Sequence, residues 1–549
     1  MHHFKKNKKM KRKIQIITGV TLLSVLLTSC RSNDTENTLV GNGTTGVRFN
    51  LLGSDYSNNG NLAGSASLDK GNAVVSDNQI QSHSVLVTPS NVMTVKLLPL
   101  TQASKSLQAS LNNTIAAISG NPLSSGTMFR VIAYRQSNGS YQAYQDYTIG
   151  QNATPMMLDN GVAYNMVVYT YGTNTLPSIS SGEQSNISSA QVNYDDTNRD
   201  FMYQKIAFTP SGTTTNILNI TLRHKVTQII TTVTTNFLSI AGISGGVLTS
   251  HYSNGVIPLS TGVMSGRTTL STGAALSFPS SEFPGSIQTA NPVFINNNTG
   301  SSLTGGFSAN VTIGATTKVV NMPNIFTITP ENQSNLTINL QRCGAYLGPG
   351  NTQWKEFMCH NLGADTTADP FAAVAAIHGA KYQWGAQTDQ VGRYYSQVND
   401  QVNSGAITGW IGTLSGGARL PDGTWSDTSK TANDPCPSGY RVPTNAQWTA
   451  VANNNNFTSI GSWGDSATNY SSGAMLGNNL FLPATGRRSA DFGTLVQRGA
   501  IGDYWSSTPG TGFINAPNAY TLHLQSFNAS GGVINNDRFS GISVRCIAQ

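Results

Sequence analysis

The sequence predicts a mainly β protein, and three observations support this expectation. Only 10% of its 549 residues are charged, and threonine, serine, asparagine and glycine supply most of the polarity, as in exported β-rich chains. Alternating side chains flank turn signals such as Asn138-Gly139, a pair typical of tight hairpins. Helical periodicity is scarce before residue 342, and beyond it the chain becomes rich in tryptophan, glycine and cysteine.

The first 29 residues have the order of an export signal. Seven cations lie between residues 5 and 13, the uncharged apolar run IQIITGVTLLSVLL follows, and LTSC ends it. This is the arrangement of a signal peptide with its cleavage site, and the apolar run is short for a membrane span. We therefore expect residues 1–29 to be removed.

The tetrapeptide LTSC that ends at Cys30 resembles the lipobox of bacterial lipoproteins. The resemblance implies that the Cys30 sulfur receives a diacylglycerol, that the chain is cut before it, and that several acyl chains anchor it stably. The following RSNDTEN resembles the acidic signals that direct Bacteroidetes lipoproteins outward. We expect a lipid-anchored, surface-exposed protein of the cell outer membrane, with residues 30–42 as anchor and linker. A non-lipidated signal with a chance cysteine is the alternative.

Loss of the leader makes the chain formally neutral. Removal of residues 1–29 takes away seven of the 32 lysines and arginines. The 25 that remain equal the 25 aspartates and glutamates in number. A neutral chain offers no basic surface of the kind that binds nucleic acid. Nucleic acid is therefore not among the expected partners.

Residues 43–342 consist of short β segments. TMFRVIAYRQSNGSYQAYQDYTI and YNMVVYTYGT alternate, NILNITLRHKVTQIITTVTTNFL is rich in β-branched residues, and NMPNIFTITP and LTINLQ close the region. Frequent turn residues between such strands predict β-sandwiches. The turn-rich SSGEQSNISSAQVN is expected to join two of them, so that the first spans residues 43–180 and the second residues 181–342.

This region resembles the fimbrillin family, the fimbrial subunits of Bacteroidetes. The resemblance lies in the order of a lipobox, TGVRFNL, FRVIAYR, MMLDNGVAYNMVVYTYG, RDFMYQKIAF and ITLRHKVTQIITTV. It implies two transthyretin-like β-sandwiches in series. It also implies assembly by strand donation after proteolysis at an arginine, for which Arg48 is the candidate.

Four cysteines remain once Cys30 is set aside, at positions 343, 359, 436 and 546. An even number in an oxidising compartment predicts two disulfides, for which three connectivities are possible. We expect Cys343 with Cys359, a short loop, and Cys436 with Cys546, which closes the end of a domain. Metal binding is the alternative, but no CxxC pair or histidine at ligand spacing supports it. No metal or cofactor is expected.

The C-terminal part contains WKEFMCHNLGADTTADPF, GAKYQWG, GRYYSQ, NDPCPSGYRVPTNAQW, LPATGRR, GDYWSST and GISVRC, in that order. This series closely resembles the Fibrobacter succinogenes major paralogous domain, which implies a C-type-lectin-like fold over residues 343–549. The predicted fold is thus two transthyretin-like β-sandwiches followed by an α+β C-type-lectin-like domain.

One segment of this part predicts a helix directly. Thr444 and Gln447 have the spacing of a capping box, Pro443 can pack on Trp448, and Trp448 lies on an apolar face with Val451. The same structural signature includes Arg441, Trp505 and Arg545. We expect Trp505 and Arg545 to be core and buried-pair residues.

An enzyme is not expected. Formylglycine-generating enzymes share the fold and an Arg-x-Pro-Thr pattern but use two reactive cysteines near the chain end, where this chain has only Cys546. A disulfide-bonded cysteine supplies no thiolate. Asp365 and Asp369 could hold a cation, but we expect them to be turn residues.

The sequence therefore predicts a lipid-anchored surface protein in which a fimbrillin-like stalk presents a lectin-like domain for binding or adhesion. The expected partners are the outer membrane, an unidentified glycan or protein ligand, and fimbrial subunits. The alternative is a structural fimbrial component at a tip or base. Tryptophan and tyrosine give large contact areas at low entropic cost, although each could equally fill the core. The candidate contact residues are Trp384, Tyr394, Trp410, Trp425 and Tyr504.

Overall fold

The computed structural model describes residues 43–57, 80–100, 121–212, 214–511, 518–526 and 528–549. The export signal, Cys30 and most of the linker lie outside these ranges. Thr44–Gln549 forms one compact unit. Neither helix in the described part of the chain has the length and apolar character that a membrane span requires.

Among the residues that the structure describes, ten strands precede residue 225. They are β1 (Thr44–Asp55), β2 (Gln81–Thr88), β3 (Asn91–Pro99), β4 (Met128–Arg135), β5 (Tyr141–Thr148), β6 (Met156–Asp159), β7 (Tyr164–Thr170), β8 (Gln191–Asn193), β9 (Met202–Phe208) and β10 (Asn216–His224). Seven of them form a sheet in the order β5-β4-β7-β9-β10-β1-β6.

This sheet folds into two layers. Strands β9 and β10 share only the pairs Arg223–Tyr203 and His224–Met202, so β5-β4-β7-β9 and β10-β1-β6 meet at one corner. The core contains residues from every strand of the sheet, including Val168 of β7. Successive strand residues point to opposite faces, so β7 also sends Tyr169 to the outer face.

The turn-rich segment after residue 180 covers that outer face instead of joining two domains. Its Ile187, Ala190 and Val192 pack in a second apolar cluster with Tyr134 of β4 and Tyr169 of β7. Burial against these rings holds the segment to the first sandwich, because apolar contact area stabilises the packed state.

Nine strands follow. They are β11 (Thr227–Thr235), β12 (Ile240–Thr249), β13 (Val256–Pro258), β14 (Ala274–Ala275), β15 (Ile287–Thr289), β16 (Val293–Ile295), β17 (Gly305–Ile313), β18 (Thr316–Phe326) and β19 (Gln333–Arg342). A short 3-10 turn occupies Ser280–Glu282. One layer has the order β15-β11-β19-β3-β2, with β16 also on β11, and the facing layer has the order β14-β12-β17-β18. Side chains of both layers share one core.

The prediction of a mainly β chain is confirmed, but the strands do not follow the expected boundary between residues 180 and 181. Strands β2 and β3 belong to the second sandwich, because β3 pairs along β19 from Asn91–Arg342 to Pro99–Ser334. Conversely, β10 completes the first sandwich through its parallel pairing with β1. Pairing between such distant segments leaves no local signal in the sequence.

The C-terminal part holds two helices and fourteen short strands in the described residues. They are β20 (Gly344–Gly348), β21 (Thr352–Glu356), β22 (Lys381–Tyr382), β23 (Tyr394–Tyr395), α1 (Gln397–Val402), β24 (Tyr440–Arg441), α2 (Asn445–Asn454), β25 (Phe457–Ile460), β26 (Gly473–Leu476), β27 (Leu480–Pro483), β28 (Arg487–Arg488), β29 (Leu495–Val496), β30 (Ile501–Pro509), β31 (Asn518–Gln525), β32 (Asn528–Asp537) and β33 (Ile547–Ala548). A 3-10 turn covers Ala375–Ile377. Helix α2 packs against β20, β31 and β32.

The turn between β2 and β3 connects the second sandwich to this C-terminal region. The backbone N–H of Cys343 donates to the Ser90 carbonyl at 2.8 Å, and that of Cys359 donates to the Pro89 carbonyl at 2.7 Å. The buried Ser90 hydroxyl donates to Glu356 at 2.7 Å and accepts from the Tyr440 hydroxyl at 3.0 Å. All polar groups of this buried contact are thus paired, as burial requires.

Candidate functional site

Most of the aromatic side chains expected at a contact surface are buried. Trp384, Trp425 and Tyr504 are fully enclosed, Trp410 is nearly so, and Tyr394 is half-buried. Three donate internally: Trp384 to the Ser506 carbonyl, Trp425 to that of Asn433, and Tyr504 to that of Pro483. Composition cannot separate an aromatic contact residue from a core residue whose polar atom has an internal partner. Four of the five candidates therefore do not form a contact surface.

The structural signature behaves as expected at the helix. Thr444 accepts a bond from the N–H of Gln447, and Gln447 accepts one from the N–H of Thr444, so the capping box is complete. Trp448 and Val451 are buried on the inner face of α2. Trp505 is also buried, and the Trp448 indole donates to its carbonyl at 3.0 Å.

The arginines of the signature differ in their partners. Arg545 is fully buried, but it donates to the Asn361 amide and to the carbonyls of Met358, Cys359 and Phe481, not to a carboxylate. The expected buried pair is therefore replaced by neutral acceptors, and burial lowers the pKa of Arg545 to about 10. Partly exposed Arg441 donates to the carbonyl of Asp427.

Both expected disulfides are present. The bond between Cys343 and Cys359 closes a short loop beside the β2–β3 turn. The bond between Cys436 and Cys546 joins two cysteines that are 110 positions apart. The second bond lies beside the antiparallel pair of β24 and β33. It therefore fixes the entry to α2 against the C-terminal strand.

An exposed apolar surface lies on α1 and the loops around it. We call the side chains of Val391, Val398, Val402, Leu414 and Phe492 the α1 surface; their exposures run from 55 to 88%. Val398 and Val402 are four positions apart on one helix face. Exposed apolar side chains on neighbouring segments are associated with interaction sites.

Backbone hydrogen bonds join the segments that carry the α1 surface. The N–H of Ile411 donates to the Gly392 carbonyl at 3.0 Å, and that of Ile407 donates to the Phe492 carbonyl at 2.9 Å. Thr413 donates likewise to the Ala490 carbonyl at 2.9 Å. The loops are therefore fixed to each other although they contain little regular secondary structure.

A glycine allows these loops to approach the core closely. Gly493 has a φ of +69°, a conformation that favours glycine. A Cβ at this position would lie 2.9 Å from the ring of Trp410, which packs beneath the loop. The buried Trp410 thus supports the segment that bears Phe492, rather than contacting a ligand itself.

A buried ionic cluster lies directly beneath α1. Asp400 accepts from Arg488 Nε at 2.7 Å and from Arg498 Nη2 at 2.5 Å, and all three side chains are at most 1% exposed. Both arginines also donate to the Asp400 carbonyl, at 3.0 and 2.9 Å. Ion pairs this deep cost much desolvation free energy and require every partner to be in place. They fix α1 and its valines in one position.

Lys381 lies near this cluster without a bonded carboxylate. Its ammonium donates to the Ser543 hydroxyl at 3.0 Å, and Ser543 shares a hydrogen bond with Thr485. Burial lowers the pKa of Lys381 to about 7. The nearby charge of Asp400 raises this pKa and that of Arg498 lowers it, but burial has the largest effect. Charge inside this region is thus dominated by cations.

The stability of the protein should depend on pH through Lys381. Its folded pKa of about 7 lies below its ordinary value of 10.5, so between these values the unfolded chain holds a proton that the folded chain has released. Stability therefore rises with pH in this interval and is lowest, for this group, below pH 7. Relative to Lys381→Met, wild type should gain up to about 4 kcal/mol between pH 7 and 10.

Urea unfolding of both proteins at several pH values measures this difference. Lys205→Met, at an exposed lysine of β9, is the control, and its free energy of unfolding should change with pH as that of wild type does. A constant difference between wild type and Lys381→Met across the interval would contradict the predicted dependence.

Other residues singled out in the sequence have local roles. Asp365 accepts from the N–H and hydroxyl of Thr367, and Asp369 accepts from the N–H of Phe371, as turn residues do. Asp369 also pairs with Lys96 at 3.0 Å. Arg48 has an exposed side chain on β1, whose backbone pairs with β10 on one side.

A serine, a histidine and an aspartate are aligned in the first sandwich. Ser54 Oγ lies 2.9 Å from His224 Nε2, and Asp200 Oδ1 lies 2.5 Å from Nδ1. Nucleophilic serines use this order of atoms. Here Ser54 and His224 are buried, and the ring of Tyr56 stacks on the imidazole at 4.0 Å. The hydroxyl therefore lies away from solvent, where it connects β1 to β10.

Neither the ionic cluster nor the α1 surface is predicted by the sequence. Asp400 and Arg498 are 98 positions apart, and Asp400 and Arg488 are 88 apart. The available signal was weak: Val398 and Val402 are apolar residues at helical spacing in a short polar segment.

No protein-family model and no curated protein match the chain. It is similar to a solved candidate cell adhesion protein from Parabacteroides distasonis at 10% identity, covering 41% of this chain and 84% of that one with a TM-score of 0.27. A candidate cell adhesion protein from Bacteroides uniformis matches at 10% identity over 40% and 92%, with a TM-score of 0.28. A fimbrial assembly protein from Parabacteroides distasonis matches at 11% identity over 42% and 86%, with a TM-score of 0.25. Similarities this low carry no argument about the activity of this chain.

Proposed function

We propose that the chain is a lipid-anchored protein of the cell outer membrane that binds a glycan or protein ligand through its C-terminal region. The lipobox resemblance at Cys30 supports the anchor. The fimbrillin resemblance supports a stalk formed by the two sandwiches. The resemblance to the major paralogous domain supports a C-type-lectin-like module, in which recognition depends on the surface and not on the fold alone.

The observation that carries the proposal is the α1 surface above its buried ionic cluster. Five exposed apolar side chains are borne by segments that hydrogen-bond to each other. Asp400 and its two arginines hold the helix beneath them. A surface fixed before binding loses little conformational entropy when a ligand docks, which favours affinity. This arrangement is suited to recognition.

The proposal does not include catalysis. A formylglycine-generating activity would need a free thiolate at Cys546, and this cysteine is bonded to Cys436. The aligned Ser54 and His224 are buried.

A structural role at the tip or base of a fimbria is the second candidate. Strand β33 pairs with β24, and the carbonyl of Gln549 accepts from Lys355 at 3.0 Å. The last strand of the second sandwich, β19, is followed directly by β20 of the C-terminal region. Neither strand is free to be donated to a neighbour, which favours a capping position over a shaft position.

Binding is tested with purified residues 43–549, which contain the compact unit, on arrays of glycans and of surface proteins. We expect saturable binding to at least one ligand class by the native protein and none after unfolding in urea. Absence of binding to every glycan and protein on the arrays would contradict the proposed recognition function.

The anchor is tested in the full chain by Cys30→Ala. Because the thiol must accept lipid before the chain is cut, this variant should remain uncleaved or leave the membrane fraction. Fractionation and mass spectrometry measure both outcomes, with wild type and Cys30→Ala expressed at equal levels. Normal mature mass and membrane retention in the variant would refute lipidation.

A further inference from the structure

A groove of about 390 Å³ opens at one end of the second sandwich. Strands β2, β3 and β19 form one wall, the β17–β18 hairpin forms the other, and residues 237–238 close one end. Its volume lies within the range of about 300–1,000 Å³ typical of small-molecule sites. It is separate from the α1 surface, which lies on the C-terminal region.

The groove is mainly apolar, with apolar side chains both at its floor and at its mouth. Val320 and Leu340 form part of the floor and belong to the core of the sandwich. Leu238 and Val319, at the mouth, are 55 and 71% exposed. Layers of a sandwich pack about 10 Å apart, so the space between them is a narrow slot. Such a slot suits an unbranched acyl chain better than a bulky ring.

The charged side chains at the groove are cations. Its lining includes Lys318 and Arg342 but no aspartate or glutamate. Arg342 pairs with Glu356 at 2.5 Å, whereas no ion pair of Lys318 occurs among the described residues. Glu356 is outside the lining and also accepts from Ser90 at 2.7 Å. The groove therefore combines apolar walls with an uncompensated positive charge at the exposed Lys318.

We propose that this groove binds a fatty acid, with the acyl chain between the two layers and the carboxylate at Lys318. Burial of the acyl chain of the fatty acid supplies the non-directional part of the affinity. The ammonium supplies a charge-assisted hydrogen bond that distinguishes the acid from a neutral amphiphile. Arg342 is already paired with Glu356 and adds little net charge at the groove.

Calorimetric titration of residues 43–549 with dodecanoate, below its micelle concentration, tests the proposal. We expect one saturable site per chain and at least tenfold weaker binding of 1-dodecanol, which has the same chain without the charge. Lys318→Glu and Leu238→Glu should each weaken dodecanoate binding at least tenfold. Both positions are exposed, so neither substitution should lower the unfolding temperature.

Matched controls separate a local effect from a general one. Arg48→Glu makes the same change of charge on the first sandwich, and Leu270→Glu replaces a leucine of similar exposure elsewhere. Both should bind as wild type does. The proposal is overturned by absence of saturable binding, by equal affinity for the alcohol, or by equal affinity in all four variants. Dimerisation that Leu238→Glu abolishes, without dodecanoate binding, would assign the groove to a second copy instead.

Discussion

Asp400→Ala should destabilise the C-terminal region by about 3–5 kcal/mol, because it leaves two buried arginines without their carboxylate. Arg488 and Arg498 are at most 1% exposed and both bond to Asp400. Neither guanidinium reaches water in the folded protein. The α1 surface should therefore lose its shape together with the stability of the region.

Tryptophan fluorescence measures this effect selectively. All seven tryptophans lie beyond residue 342, so their unfolding transition in urea reports on the C-terminal region. Asp537→Ala is the control, since its pair with Arg419 lies in the same region and is partly exposed, and such pairs contribute only about 0–1 kcal/mol. An Asp400→Ala transition that coincides with wild type would show that the cluster does not hold α1.

Removal of the Cys436–Cys546 disulfide by serine at both positions should have an effect of similar size. The bond closes a loop of 110 positions, and the chain-entropy model assigns about 4–5 kcal/mol to such a crosslink. The short loop from Cys343 to Cys359 should contribute less, about 3 kcal/mol. The strand pair β24–β33 should separate first.

Two probes distinguish loss of this region from loss of the whole fold. In the Cys436→Ser/Cys546→Ser variant the tryptophan transition should shift to lower urea, while circular dichroism should retain the strand signal of residues 44–342. Cys343→Ser/Cys359→Ser serves as the comparison. Equal shifts in both double variants, or none in either, would contradict the loop-length argument.

Local features of this chain could be predicted because neighbouring residues determine them. The capping box at Thr444 and Gln447 depends on residues three apart, and the β-branched tract that forms β10 and β11 is likewise recognised from adjacent residues. Both disulfides followed from an even cysteine count and the compartment, with their pairing chosen from three possibilities. Local signals of this kind can be recognised without knowledge of how the rest of the chain folds.

Features that depend on distant contacts could not be predicted. Strand β3 pairs with β19 across most of residues 43–342, which places it in the second sandwich instead of the first. Trp384 and Trp425 were candidates for a contact surface with a core position as an equal alternative, and only the fold shows that internal carbonyls satisfy their indoles. The residues around Asp400 in the sequence do not predict its ion pairs, because both arginines that pair with it are distant along the chain.

The most direct measurement of the central claim is the dissociation constant of the array-identified ligand for three proteins. These are residues 43–549 as wild type, as Val398→Glu/Val402→Glu, and as the control Val263→Glu/Leu270→Glu, whose positions are similarly exposed but lie between β13 and β14. We expect at least tenfold weaker binding for the α1 variant alone, with unchanged tryptophan unfolding in all three. Wild-type affinity in a folded Val398→Glu/Val402→Glu protein would show that the α1 surface is not the binding site.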